Sequence, residues 1–191
     1  MSDKIGMREE MMTMRTFIQS HLVPSTFKGV FPLSKNASNA QGNVAYLAQH
    51  QLFEQFPELM MDIIAPTHLC EKVIQINTWI GTGGTRTPLH FDTYDNLFVQ
   101  VFGSKYVRLY DPKESSNLYV IKKGSDATAY SGQGNMSAVD CEREDYDQHP
   151  KSKNASFTEV VLFPGDCLYI PAKTWHYVRG LSTSASVNFW W

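Results

Sequence analysis

Cysteine is scarce and scattered in this chain of 191 residues, with Cys70, Cys141 and Cys167 odd in number and far apart. That argues against a disulfide framework and against a cysteine-ligated zinc site, and fits a reducing compartment, the nucleus or cytoplasm. Excess charge is missing too: 17 Lys and Arg against 19 Asp and Glu leave a formal net charge of −2. No basic cluster stands out, so electrostatics make no case for nucleic acid or an anionic membrane as the main partner. The two charge-rich runs, REE at 8–10 and EREDYD at 142–147, read as a solvated helix face and a loop. No N-terminal apolar stretch reaches signal-peptide length, and none could span a membrane. The Asn-x-Ser matches at Asn36, Asn135 and Asn154 therefore carry no weight as glycosylation sites.

What remains is ordinary globular material. Apolar residues make up 42% and aromatics 13%, enough for one core, so a single domain over 1–191 is expected. Residues 7–22 space Met7, Met11, Met14, Ile18 and Leu22 as one amphipathic helix, its methionine stripe packing into the core. Residues 24–43 are rich in Pro, Ser, Asn and Gly and read as loop. VAYLAQ (44–49) suits a short strand, and HQLFEQF before Pro57 one or two helical turns. From residue 72 the character changes. KVIQINTWI, NLFVQVF, SKYVRLY, FTEVVLF, CLYI, HYVRGL and SASVNFWW are short β-branched or aromatic runs separated by turn chemistry. That pattern predicts an all-β barrel or sandwich. The polar segment 111–156 reads as a structureless insertion bordering a site. GTGGT (81–85) lies between two strands and is a turn, not a phosphate loop.

The chemistry concentrates in TPLHFDTYDN (87–96). On a strand, residues two apart share a side, so His90 and Asp92 point together while Leu89 and Phe91 face away. His176, in WHYVRG (175–180), is the best third ligand; His21, His50, His68 and His149 sit in poorer places. Two histidines and a carboxylate suit non-haem Fe(II) with positions left open; zinc accepts the same donors, and satisfied structural histidines are the alternative on spacing alone. In SKYVRLY the alternation sets Lys105, Val107 and Leu109 on an apolar, inward face. A buried ammonium with no acidic neighbour calls for an anionic ligand, a dicarboxylate above all; the alternative is an amine snorkelling to water.

The order His90-x-Asp92, Asn96, GSKYVRLYDP (103–112), FPGDCLYIPAKTWHYVRGL (163–181) and SVNFWW (186–191) resembles the JmjC-domain 2-oxoglutarate oxygenases. The resemblance runs from about residue 10 to the C-terminus, and the chain is N-terminally short relative to the family. It implies a mainly β fold, a double-stranded β-helix (a jelly-roll, cupin-like JmjC barrel) with a few flanking helices. His90, Asp92 and His176 take the iron-ligand positions. Lys105 takes the position that binds the distal carboxylate of the cosubstrate 2-oxoglutarate, with Thr87 and Tyr46 adding hydroxyl hydrogen bonds. Asn96 and Trp190 match positions contacting the cosubstrate near the metal, and Asn188, on the strand face of Trp190, joins them from behind. With Fe(II), 2-oxoglutarate and O2, the implied activity is hydroxylation of a protein side chain, arginine first. The alternatives are N-methyl-lysine demethylation of histones and a catalytically silent JmjC-like binding module. The implied partner is a protein or peptide, with histones and ribosomal or chromatin proteins as candidates.

Overall fold

The computed structural model describes residues 9–23, 44–64, 72–121, 134–143 and 146–191. Its compact units are Met1–Asn43 and Val44–Trp191.

In the first unit the helix is shorter than the periodicity suggests. Thr13 takes an extended conformation and its Oγ1 accepts from the Thr16 backbone N–H at 3.1 Å. A hydroxyl bonded in this way is a helix N-cap, so α1 (Met14–Phe17) starts there rather than at residue 7. It runs on into a π-helical turn, Ile18–Leu22. The methionine stripe does not pack as expected either: Met11 and Ile18 are exposed, and Phe17 is the buried residue. Met7 and the expected loop 24–43 lie outside the described residues.

Among the described residues the second unit has nine strands, and every run singled out from residue 72 onward forms one. They are β1 (Tyr46–His50), β2 (Gln75–Gly81), β3 (Arg86–His90), β4 (Asn96–Phe102), β5 (Lys105–Tyr110), β6 (Phe157–Leu162), β7 (Cys167–Ile170), β8 (Trp175–Gly180) and β9 (Ser184–Trp190). HQLFEQF yields the short α2 (Leu52–Gln55), followed by a 3-10 helix, Pro57–Asp62. The strands pair antiparallel in a five-stranded sheet ordered β1-β2-β9-β4-β7 and a four-stranded sheet ordered β3-β8-β5-β6. Phe98 and Ile170 of the first sheet meet Val107, Leu162 and Val178 of the second, which makes the pair a jelly-roll sandwich with its core between the sheets. GTGGT is the β2–β3 turn: Gly84 adopts a left-handed φ of +86°, open to glycine without a Cβ clash, and its N–H donates to Gly180 O at 2.8 Å.

The segment 111–156 departs most from its reading. Where described, it carries 3-10 helices at Pro112–Ser116 and Pro150–Asn154, and three of its apolar residues are buried on one surface. Leu118, Cys141 and Ala155 pack on Leu89, Tyr110, Trp175 and Tyr177, forming a second core on the outer face of the four-stranded sheet. Leu89 and Phe91 do face away from the site, as alternation requires, but onto this second core and not onto solvent. The segment also pairs with the open edge of β3. Ser137 N–H donates to Leu89 O at 2.9 Å, and Met136 bridges to His90. Covering an edge satisfies backbone groups that would otherwise be left unpaired.

Candidate active site

Pairing of β3 with β8 sets His90 directly opposite His176, with ring centroids 4.1 Å apart. Each imidazole is oriented by the carbonyl two residues before it: Nδ1 of His90 meets Pro88 O at 2.8 Å, and Nδ1 of His176 meets Thr174 O at 3.0 Å. A carbonyl only accepts, so both Nδ1 atoms carry the proton and both Nε2 lone pairs are bare. Those lone pairs face one carboxylate. His90 Nε2 lies 3.8 Å from Asp92 Oδ1 and His176 Nε2 lies 3.6 Å from Asp92 Oδ2. All three donor groups fall within 4.8 Å of one another.

Strand alternation is not what delivers Asp92. β3 stops at His90, and Asp92 lies beyond its end. The intervening Phe91 is clamped on both sides by Asn135, its N–H donating to Asn135 O at 3.1 Å and its carbonyl accepting from Asn135 Nδ2 at 2.8 Å. Asp92 O in turn accepts from the Lys173 N–H at 2.7 Å, in a turn where Lys173 holds a left-handed φ of +66°. The 134–138 stretch and the IPAK turn thus aim the carboxylate.

Burial first, and the neighbouring His90 second, bring His176 down to about 3, so its imidazole is neutral at physiological pH. Burial pushes the Asp92 carboxyl up, and the electrostatic interaction with His90 partly opposes this. Each shift reflects a charge that a dry site disfavours when alone; a bound cation would reverse the Asp92 shift and would favour the neutral form that His176 already holds.

Lys105 lies on β5 four residues from Leu109, the partner of His176, which is roughly 13 Å along the strand at the usual rise. It is buried, 1% exposed, and its Nζ has no hydrogen-bond partner among the described residues, so the amine does not snorkel. Nζ stands 5.6 Å from the Tyr46 ring centroid and 5.3 Å from that of Phe98. Desolvation lowers its pKa to about 7. Tyr46 OH and Thr87 Oγ1, 3.5 Å apart, stand on adjoining walls.

Tyr46, Thr87, His90, Asp92, Asn96 and His176 line one cavity of about 400 Å³ counted to its open mouth, with Phe98 and Val107 among its apolar walls. Asn188 lies behind that wall, fully buried and bonded to Trp79 and Asn96. Trp190 is not among the lining residues: its ring stacks on Tyr94, centroids 5.6 Å apart, and its buried Nε1 has no partner among the described residues. Two residues escaped the sequence reading. Trp79 lines the cavity, but nothing in KVIQINTWI separates it from a core aromatic. Asn135 sits in a segment whose polarity hid its pairing with Phe91.

The residues fit a divalent metal with a short dicarboxylate. The two bare Nε2 atoms and one carboxylate form a three-donor face, and the Lys105 amine, without a hydrogen-bond partner among the described residues, stands beside two cavity-lining rings where an anion would be matched in sign.

Fold and site together define a cupin-like barrel with a facial His-Asp-His triad. The chain belongs to the cupin-like domain family, which it matches over residues 3–191, and its relatives there are JmjC-domain proteins. It is 39% identical to JmjC domain-containing protein F of Dictyostelium discoideum over 98% of this chain and 43% of that protein. It is 43% identical to lysine-specific demethylase 8 of Xenopus tropicalis (83% of this chain, 35% of that protein). Jumonji C domain-containing protein 5 of Drosophila melanogaster is 40% identical (82% and 39%). The chain thus spans about two fifths of the length of the relatives it matches.

Proposed function

We propose that this protein is an Fe(II)- and 2-oxoglutarate-dependent oxygenase acting on a cationic side chain of a protein substrate. The observation that carries the reading is the unpaired, buried ammonium of Lys105 beside the cavity that also holds the triad. A lone buried charge costs several kcal/mol, on the order of the penalty that only a partner can offset, and a dicarboxylate is a partner of the right sign. Bound there, Fe(II), 2-oxoglutarate and O2 would supply C–H oxidation, with succinate and carbon dioxide as co-products.

The chain's own residues bind, orient and exclude water. His90, Asp92 and His176 hold the metal through Nε2, a carboxylate oxygen and Nε2, with both imidazoles locked in tautomer by Pro88 O and Thr174 O. Lys105 holds the far carboxylate, and Tyr46 and Thr87 complete its shell with hydroxyl donors. Asn96 offers its carboxamide to the cosubstrate near the metal. Trp190, opposite Asn96 in the sheet register, offers a buried indole N–H without a partner among the described residues. The apolar walls, Phe98 and Val107 among them, keep the anchor dry.

The names of relatives, lysine-specific demethylase among them, favour N-methyl-lysine as the substrate group. Arginine hydroxylation uses the same C–H oxidation and is the second reading, carried by the motif resemblance. Histone, ribosomal and chromatin proteins are the substrate candidates, met in the nucleus or cytoplasm. Among the described residues no helix is long and apolar enough to cross a membrane.

Two measurements test this. Anaerobic Fe(II) plus 2-oxoglutarate is expected to give a visible metal-to-ligand charge-transfer band. A peptide library with both cofactors, read by mass spectrometry, is expected to show loss of methyl with formaldehyde, or gain of one oxygen. Absence of the band together with absence of succinate would leave the silent binding module as the correct description.

A further inference from the structure

Two cavity-lining side chains and one behind them form a hydrogen-bonded chain with a built-in direction. The Trp79 indole Nε1–H donates to Asn188 Oδ1 at 2.6 Å, and Asn188 Nδ2 donates to Asn96 Oδ1 at 3.1 Å. A carboxamide by itself can turn over at little cost and present either its acceptor or its donor. An indole N–H can only donate. Trp79 therefore dictates that Asn188 turns its oxygen toward the indole, which leaves Nδ2 for Asn96. The Asn96 oxygen is thereby engaged, and its Nδ2 is the end left for the cavity that Asn96 lines. Asn188 and Asn96 are 0% and 4% exposed, so water cannot substitute for these bonds.

We propose that Asn188 is a positioning residue. It relays the donor-only character of the Trp79 indole to Asn96 and so fixes the Asn96 amide with N–H, not C=O, facing the ligand space beside the triad. The ligand chemistry this selects is an oxygen-bearing anion, and its assignment to 2-oxoglutarate rests on the function proposed above. Asn188 itself touches neither metal nor cosubstrate; it lies outside the lining of the cavity.

The relay is tested without metal or cosubstrate by 1H–15N spectra of the full chain. Asn188→Leu is expected to move the Trp79 indole resonance upfield and speed its solvent exchange roughly tenfold or more, whereas Asn188→Asp, which keeps an acceptor, preserves the indole bond. An indole signal unchanged in Asn188→Leu overturns the relay. If that variant does not fold, Trp79→Phe probes the other end. Without the fixed donor, the Asn96 side-chain amide is expected to populate two orientations, and a single unchanged pair of amide resonances overturns the proposal.

The second measurement is calorimetric titration of the Mn(II)-loaded protein with 2-oxoglutarate. Asn188→Asp turns Asn96 over to donate to the new carboxylate and is expected to weaken 2-oxoglutarate roughly tenfold, with Mn(II) affinity unchanged. In an Asn96→Leu background the same substitution is expected to have no further effect, because Asn188 acts only through Asn96. Additive losses overturn the positioning role. If wild-type Mn(II) protein fails to bind 2-oxoglutarate, the proposed function fails, while the spectra still decide the relay.

Discussion

Replacing Lys105 by methionine separates the price of a buried ammonium from its use. Methionine keeps the length and packing of the stem and removes the charge. In the folded protein desolvation lowers the amine from its ordinary 10.5 to about 7. Between those values the unfolded chain binds one proton more than the folded one, so stability rises with pH, and below about pH 7 the destabilisation is complete. The lysine thus costs the cosubstrate-free protein about 4 kcal/mol at pH 7 and about 2 kcal/mol at pH 9. Lys105→Met, measured by urea unfolding, is expected to be more stable than wild type by up to those amounts, the advantage narrowing as pH rises. In the presence of metal and 2-oxoglutarate the order reverses. Wild type gains stability from the ligand, and the variant binds it about 10- to 150-fold more weakly, the worth of a hydrogen bond to a charged group. Because the free amine must take up a proton to pair with a carboxylate, wild-type affinity is expected to fall as pH rises through about 7, and the variant's to stay flat. A variant no more stable at pH 7, or one that binds 2-oxoglutarate as tightly as wild type, would refute the reasoning.

Other expectations follow from the clamps around the triad and from the second core. His176→Ala is expected to abolish metal binding in calorimetric titration, because it removes one of three donors and leaves Asp92 without that partner. Asn135→Ala deletes the bond from its Nδ2 to Phe91 O and frees the stretch leading to Asp92; metal affinity is expected to fall roughly 10- to 100-fold with little change in global stability. Leu118→Ala, at a position with 0% exposure, is expected to cost about 3 kcal/mol by urea unfolding. A cost near zero would return the 111–156 segment to a loose loop.

The strands were legible because their signal is local. β-branched and aromatic runs of strand length, bounded by FGS, FPGD and IPAK, specify extended chain between turns whatever the tertiary context. The same alternation placed Lys105 and Val107 inward, as observed. Where a local cap competed with periodicity the cap won: Thr13 starts α1 at Met14 in spite of the methionines before it. The segment 111–156 misled because composition averages over residues. Leu118, Cys141 and Ala155 are few among many polar neighbours, yet each is aimed at the outer sheet face.

For the site, the sequence by itself determined the donors: two histidines, one carboxylate, one inward lysine and one amide, all of types that suit a metal and an anion. Tertiary structure decided their geometry. Register between β3 and β8 brings together His90 and His176, which stand far apart in the chain. The Asn135 clamp and the Lys173 N–H aim Asp92 from past the end of its strand. Burial, a property of the packed sandwich and of no single residue, decides that the Lys105 amine does not reach water and has no hydrogen-bond partner among the described residues. TPLHFDTYDN could offer two of the three candidate donors because side-chain chemistry is carried by each residue; it could not give their distances to His176, because those belong to strands that only the fold makes neighbours.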